Sequence, residues 1–227
     1  MPFLFESHYL RNQSYELALI KQSELYQAFS LGSICGVLFH EPRAVYTLGR
    51  RASFQDFLIS TREIQDLGIE VLQTDRGGQV TYHGPGQVVG FPVLHLPRVY
   101  ESAKAVRCFV HDLEESLILT LQDFEITGAR LENAPGVYVD GKKIASIGIQ
   151  VKNEGEISHG FSLNLGGDLD AFLNIHPCGM PGMQMTSIEK LKGFLPDWSL
   201  VCARIETHLK GLFSKRLSKG ESSRFHS

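Results

Sequence analysis

The feature that most limits the fold is one amphipathic helix followed directly by a run of strands. After Ser102, the residues Val106, Phe109, Val110, Leu113, Leu117 and Leu121 recur at three- and four-residue intervals, which puts them on one helical face. Each such side chain contributes about 1.5–3 kcal/mol when fully buried, so the face needs a broad apolar partner. The chain supplies one at once: Phe124–Ala129, Gly136–Val139, Lys143–Val151 and Ile157–Leu165 read as successive strands. Asp140-Gly141 is a type I′ turn signal between two of them, and Asn153-Glu154-Gly155 suits another hairpin. A helix lying on hairpin-linked strands makes an α/β domain in layers.

The N-terminal half repeats that alternation. Ser14 is placed to cap a helix through about Phe29, with Leu17, Ile20 and Leu25 on its apolar side. Strands are expected at Ile34–Phe39 and Val45–Leu48, separated by a break at Pro42. Ser60 and Glu63 have capping-box spacing, Gly68 is placed to end that short helix, and Ile69–Gln73 forms the next strand. Near the C-terminus, Asp168–Ile175 reads as a short helix, and Thr186 with Glu189 as a further capping box. Asp197 starts a last helix to about Leu217. The expectation is a single domain over residues 1–217 and a polar, frayed tail over 218–227.

Composition narrows the functional classes. A net charge of −3 gives no reason to expect nucleic acid as a partner. No apolar run reaches the length of a membrane span, and Met1–Leu10 lacks a signal-peptide core, so a cytoplasmic protein is expected. Cys35, Cys108, Cys178 and Cys202 are far apart with no CxxC pair, which fits reduced thiols better than a disulfide framework. His95, His159 and His176 lack ligand spacing, so no metal site is expected.

Chemistry concentrates in the stretch Asp75–Leu96, DRGGQVTYHGPGQVVGFPVLHL. Arg76-Gly77-Gly78 opens it, a short strand Gln79–Tyr82 leads to His83, and Gly84-Pro85-Gly86 turns the chain into Gln87–Leu94. Glycines permit close backbone approach to a ligand, so this is either a binding floor or a hairpin whose glycines merely suit its turns; local sequence favours the hairpin. Cys178, between Pro177 and Gly179, sits in a turn where a thiol is exposed, although a single free cysteine is more often buried packing. Lys143 is the other candidate. Strand alternation puts it with Ala145, Ile147 and Ile149, an unusual place for a lysine, whereas Lys142 reads as a solvated neighbour. His83 either orients a site or is a satisfied histidine.

Four blocks resemble one family in order. They are His40-Glu41-Pro42-Arg43-Ala44-Val45-Tyr46-Thr47-Leu48-Gly49-Arg50, the Arg76–His83 stretch, Gly141-Lys142-Lys143-Ile144-Ala145-Ser146-Ile147-Gly148, and Pro177-Cys178-Gly179. Over about Tyr15–Leu191 the chain is similar to the lipoyl(octanoyl) transferases. The resemblance implies the fold of the biotin and lipoate protein ligase catalytic domain, a mixed sheet flanked by helices. It implies transfer of an octanoyl or lipoyl group from acyl carrier protein to a lysine of a lipoyl domain, in 2-oxoacid dehydrogenase complexes or the glycine cleavage H protein. It further implies Cys178 as nucleophile and Lys143 as its partner, with no cofactor. The acyl group would lie along Arg76, Gly77, Gly78, Gln79, Val80, Thr81, Tyr82 and His83, with Ser146, Ile147, Gly148, Gly160, Phe161 and Ser162 as the other walls. A thiol of pKa about 8.5 needs a nearby cation to become a thiolate at neutral pH. Two rivals remain at this stage: an ATP-dependent lipoate or biotin ligase, and a catalytically silent module that binds acyl groups or their carrier.

Overall fold

The structure, a computed structural model, describes residues 4–30, 34–100, 105–152, 155–177 and 182–224, the last seven of these as backbone only. Among the described residues, ten strands and six α-helices form two sheets with helices outside them. The larger sheet contains β1 (Leu4–Gln13), β2 (Ile34–Pro42), β6 (Gln87–Val93), β7 (Ala129–Leu131), β8 (Ala134–Val139), β9 (Lys142–Lys152) and β10 (Glu156–Asn164). Their order is β1-β2-β6-β10-β9-β8-β7, with β1 and β2 parallel and the other pairs antiparallel. A smaller sheet has the order β4-β3-β5, from Glu70–Gln73, Val45–Leu48 and Val80–His83. This is a mixed α/β fold with its sheet flanked by helices.

The amphipathic helix is α4 (Val106–Gln122), and its apolar face is buried as the spacing requires. Phe109, Leu113, Leu117 and Leu121 pack with Val37, Val88, Val137 and Leu163 of the large sheet and with Val201, Ile205, Leu209 and Phe213 of α6 (Trp198–Arg224). The helices are also tied by charge. Arg216 donates from Nε and Nη2 to the buried Asp112 at 2.9 and 2.7 Å, and Tyr100 Oη, from α3 (Leu96–Tyr100), donates to the same carboxylate at 2.8 Å. The opposite face of the sheet is covered by α1 (Tyr15–Ser30), whose Tyr15 and Ala18 pack on Leu38, Val89 and Phe91. The small sheet lies on that face too, with its own core of Tyr46, Val80, Tyr82, Phe172, Ile175 and Met185.

Local sequence chemistry explains several boundaries. Ser60 caps α2 (Thr61–Asp66) by accepting from Glu63 N at 3.3 Å, while the Glu63 carboxylate accepts from Ser60 N at 2.7 Å. Asp140 and Gly141 both have positive φ, 49° and 75°, as a type I′ turn demands. Four expectations differ. Phe124–Ala129 is a turn instead of a strand: Phe124 N and Ile126 N both bond to Leu121 O and Glu125 has φ 56°, so only Ala129–Leu131 is extended. Asp168–Ile175 holds only a 3-10 turn, Asp170–Asn174. The cap of α5 (Ile188–Lys192) is Ser187 and not Thr186: Ser187 Oγ accepts from Lys190 N at 3.1 Å, whereas the Glu189 N–H that a Thr186 cap would bind donates to Leu165 O at 2.8 Å. The backbone of α6 continues past Leu217 to Arg224. Asn153 and Glu154, expected in the β9–β10 hairpin, lie outside the described residues.

Candidate active site

The Arg76–Gln79 loop is held between two strands of backbone. On one side Gly49 N, Arg50 N and Arg51 N donate to Gln79 O, Arg76 O and Gly78 O; on the other, Gly77 N donates to Ile149 O of β9 at 2.9 Å. Gly49 is required here, because a Cβ on it would stand 2.4 Å from Gly78 O. Arg76 is buried and clamps the loop itself, donating from Nε and Nη2 to Thr47 Oγ1 at 3.0 and 2.9 Å, from Nη2 to Thr47 O at 2.6 Å, and from Nη1 to Gly77 O at 3.0 Å. The charge is thus built into the floor by strand β3.

Between this loop, β5 and the face of β6, β9 and β10 lies a narrow cleft, with about 420 Å³ of empty space when the open solvent at its mouth is included. Its walls include Arg76, Gly77, Gly78, Gln79, Thr81 and His83 on one side, and Ser146, Ile147, Gly148, Gly160, Phe161 and Ser162 on the other. Of the residues singled out as walls, Val80 and Tyr82 are absent. They alternate to the far side of β5, where they join the small-sheet core with Tyr46 and Phe172.

Sequence reasoning missed three wall residues, Tyr15, Val89 and Phe91. Val89 and Phe91 occupy alternate positions of β6, a two-residue period that marks one face of the strand. Nothing in the sequence connects Tyr15 to them. It is connected by a polar chain that runs inward from the half-exposed Asp75: His159 Nε2 lies 2.6 Å from Asp75 Oδ1, and His159 Nδ1 lies 3.1 Å from Tyr15 Oη. His159 has φ 61°, unusual for a residue with a Cβ, and Gln22 holds that backbone by accepting from His159 N at 2.9 Å and donating to His159 O at 3.0 Å.

Burial decides the protonation of this region. It pushes His159 down to about 4, against the opposing pull of Asp75, and His83 down to about 3, with the Arg76 charge acting in the same direction. The Asp75 carboxyl is raised by burial, but its bond and charge interaction with His159 outweigh that and hold it below its ordinary value. His83 Nδ1 faces Gln87 Oε1 at 3.2 Å, and Gln87 Nε2 points to Tyr82 O at 3.4 Å, so the proton of His83 sits on Nδ1. Neutral His83 therefore keeps Nε2 as an acceptor. Among the described residues no group of three or more His, Cys, Asp or Glu side chains is arranged to hold a metal.

Lys143 is buried, at 2% exposure. Strand alternation alone assigns it to the wrong face. A bulge in the β8–β9 pairing sets Val137 opposite Ala145 but Tyr138 opposite Lys143, leaving Ile144 as the extra residue. Val137 and Val139 face the helices, so Lys143 shares Tyr138's side of the sheet, the side of the cleft, with Nζ 5.4 Å from the Tyr138 ring centroid. Gly136 makes room for it, since a Cβ there would come 2.7 Å from Lys143 Cε. The Lys143 backbone is clasped by the segment that returns after Pro177: Lys143 N donates to Gln184 O at 2.8 Å and Thr186 N to Lys143 O. Cys178 and Gly179 lie outside the described residues. Among the described residues Cys35, Cys108 and Cys202 are free thiols, and burial pushes Cys35 up to about 12.

Comparison with known proteins identifies the scaffold. Residues 8–210 match the lipoyl protein ligase A/B catalytic domain. The chain belongs to this family. Among its relatives, an octanoyltransferase of Alkaliphilus metalliredigens is 38% identical over 204 residues, covering 88% of this chain and 91% of the relative. One of Xylella fastidiosa is 46% identical over 158 residues, covering 69% of this chain and 63%, just under two thirds, of the relative. Within the family the chain therefore groups with the octanoyltransferases. A crystal structure of lipoate-protein ligase A bound with ATP superposes with TM-score 0.74 at 14% identity, covering 95% of this chain and 86% of that one, a likeness of fold.

Proposed function

We propose that this chain is an octanoyltransferase that moves an octanoyl group from acyl carrier protein to a lipoyl-domain lysine through a thioester on Cys178. The carrying observation is Lys143: a buried lysine on the cleft side of the sheet, with its backbone bonded to Gln184 and Thr186 of the segment that follows the Pro177-Cys178-Gly179 block in sequence. That arrangement supports a thiol and an amine acting together at the cleft mouth. In the first transfer the Cys178 thiolate attacks the thioester carbonyl of the donor. The bond from that carbonyl to the carrier's sulfur breaks, and the leaving thiolate takes a proton, which Lys143 supplies. In the second, the acceptor lysine attacks the acyl-cysteine. An amide forms, the Cys178 sulfur leaves, and the amine's proton is returned through Lys143.

The half-buried glycine walls admit a narrow chain, and the apolar floor of Val89 and Phe91 suits saturated carbon. Each buried methylene contributes about 0.8 kcal/mol to holding the acyl group. Acceptors of the lipoyl-domain class, as in 2-oxoacid dehydrogenase complexes and the glycine cleavage H protein, and a cytoplasmic setting that keeps Cys178 reduced, complete the reading. Among the described residues no helix is long and apolar enough to cross a membrane.

The test is transfer without ATP. Incubation with octanoyl-carrier protein and a lipoyl domain should octanoylate the domain's lysine in the absence of nucleotide. Modification that requires free octanoate and ATP instead would make the chain a ligase and refute the proposal.

A further inference from the structure

The cleft has a graded depth. Gly77, Gly78, Gln79, Ser146, Ile147 and Gly148 are half-buried at its mouth, whereas Val89, Phe91 and Tyr15 are 0%, 1% and 2% exposed. Other walls, Thr81, His83, Gly160, Phe161 and Ser162, are buried too; where α1 packs on the sheet, the cleft is closed by Val89, Phe91 and Tyr15. Tyr15 is the only one of them that comes from α1, the helix that covers this part of the sheet.

Its ring is fixed on several sides. It stacks on His83 with centroids 5.2 Å apart and meets Phe91 edge-on at 5.3 Å. Its hydroxyl is fixed as well, by a chain of one polarity. The Asp75 carboxylate only accepts, so His159 donates from Nε2; that leaves Nδ1 as an acceptor, to which Tyr15 Oη donates. Gln22 holds the His159 backbone, and Asp75 is the residue directly before the Arg76 clamp. A tyrosine without these ties swings aside when a longer ligand presses on it. This one moves only by breaking a stack and a buried hydrogen bond together, which is costly where water is absent.

We infer that Tyr15 is the stop that sets the length of saturated acyl chain the cleft accepts, with His159 and Asp75 as the positioning residues that hold it there. This rests on the reading of the cleft as the acyl site. The hydroxyl is satisfied by His159 and leaves the ring as the surface met by the terminal methyl, so Tyr15 itself presents no unpaired polar atom to an alkyl chain.

The experiment is a length series. Transfer from hexanoyl, octanoyl, decanoyl and dodecanoyl donors is compared for the native chain, Tyr15→Leu and Tyr15→Phe. Tyr15→Leu should raise the decanoyl-to-octanoyl ratio of kcat/KM by about fourfold for each methylene newly accommodated. Tyr15→Phe, which keeps the ring and loses only the tie, should change it in the same direction and by less. An active Tyr15→Leu protein with an unchanged length profile overturns the inference. A second measurement needs no variant: affinity of the native chain for free saturated fatty acids should climb about fourfold per methylene and then stop rising. A climb that continues through hexadecanoate overturns the stop even if Tyr15→Leu fails to fold. Failure of the native chain to bind or transfer any acyl chain is a different result. It refutes the cleft reading itself, and this inference with it.

Discussion

Lowering the pH should unfold this protein from the layer between α1 and the two sheets, because three histidines are buried there uncharged. Burial pushes His40 down to about 4, against smaller opposing effects from the Leu10 backbone and Glu41, His83 down to about 3 and His159 down to about 4. All three are at most 5% exposed. A histidine with a depressed folded-state pKa binds its proton more readily when unfolded, so stability is full above about pH 6.5 and is lost as pH falls from there towards 4. At pH 5 each such group costs about 2 kcal/mol relative to pH 8, since the unfolded form is then mostly protonated and the folded form is not. Three together cost about 6 kcal/mol, comparable with the whole stability of an ordinary domain.

His40 is the cleanest place to perturb, because neither ring nitrogen has a hydrogen-bond partner in bonding geometry among the described residues. His40→Leu removes one proton from the linkage without stranding a donor. Unfolding free energies from denaturant titrations followed by circular dichroism should fall from pH 8 to 5 by about 6 kcal/mol for the native chain and by about 4 kcal/mol for the variant. Parallel curves for the two proteins would refute the claim that His40 is held neutral by burial.

Two glycines of one hairpin make a matched pair. Gly136→Ala places a Cβ 2.4 Å from Ala145 O at φ 136°, so strain and overpacking together should cost about 2–5 kcal/mol, read as a lower melting temperature, and should slow transfer by displacing Lys143. Gly141→Ala has φ 75° but nothing within 4 Å, so it should cost only the left-handed penalty of about 1–2 kcal/mol and leave transfer unchanged.

What the sequence displayed were features carried by neighbours in the chain. The α4 stripe, the Ser60–Glu63 box and the Asp140-Gly141 turn each depend on residues within a few positions of one another, and each was legible. The face of Lys143 was not. Ile144 carries no mark as the extra residue of a bulge, and one extra residue reverses the alternation on which the reading depended. The cap at Ser187 was hidden for a related reason, because the Glu189 N–H has a partner in Leu165, far away in sequence. Most distant of all is the chain that ties Tyr15 at the closed end of the cleft: Asp75, His159 and Tyr15 come from a loop, a strand and a helix start, and only the packing of α1 on the sheet brings them together.

The central claim is that Cys178 carries the acyl group between donor and acceptor. Intact-mass measurement after incubation with octanoyl-carrier protein alone, followed by peptide mapping, tests it most directly. The account predicts one octanoyl adduct on the peptide containing Cys178, lost on addition of a lipoyl domain and absent from Cys178→Ala. An unmodified protein that still octanoylates the lipoyl domain, or an adduct on another residue that turns over at the same rate, would contradict it.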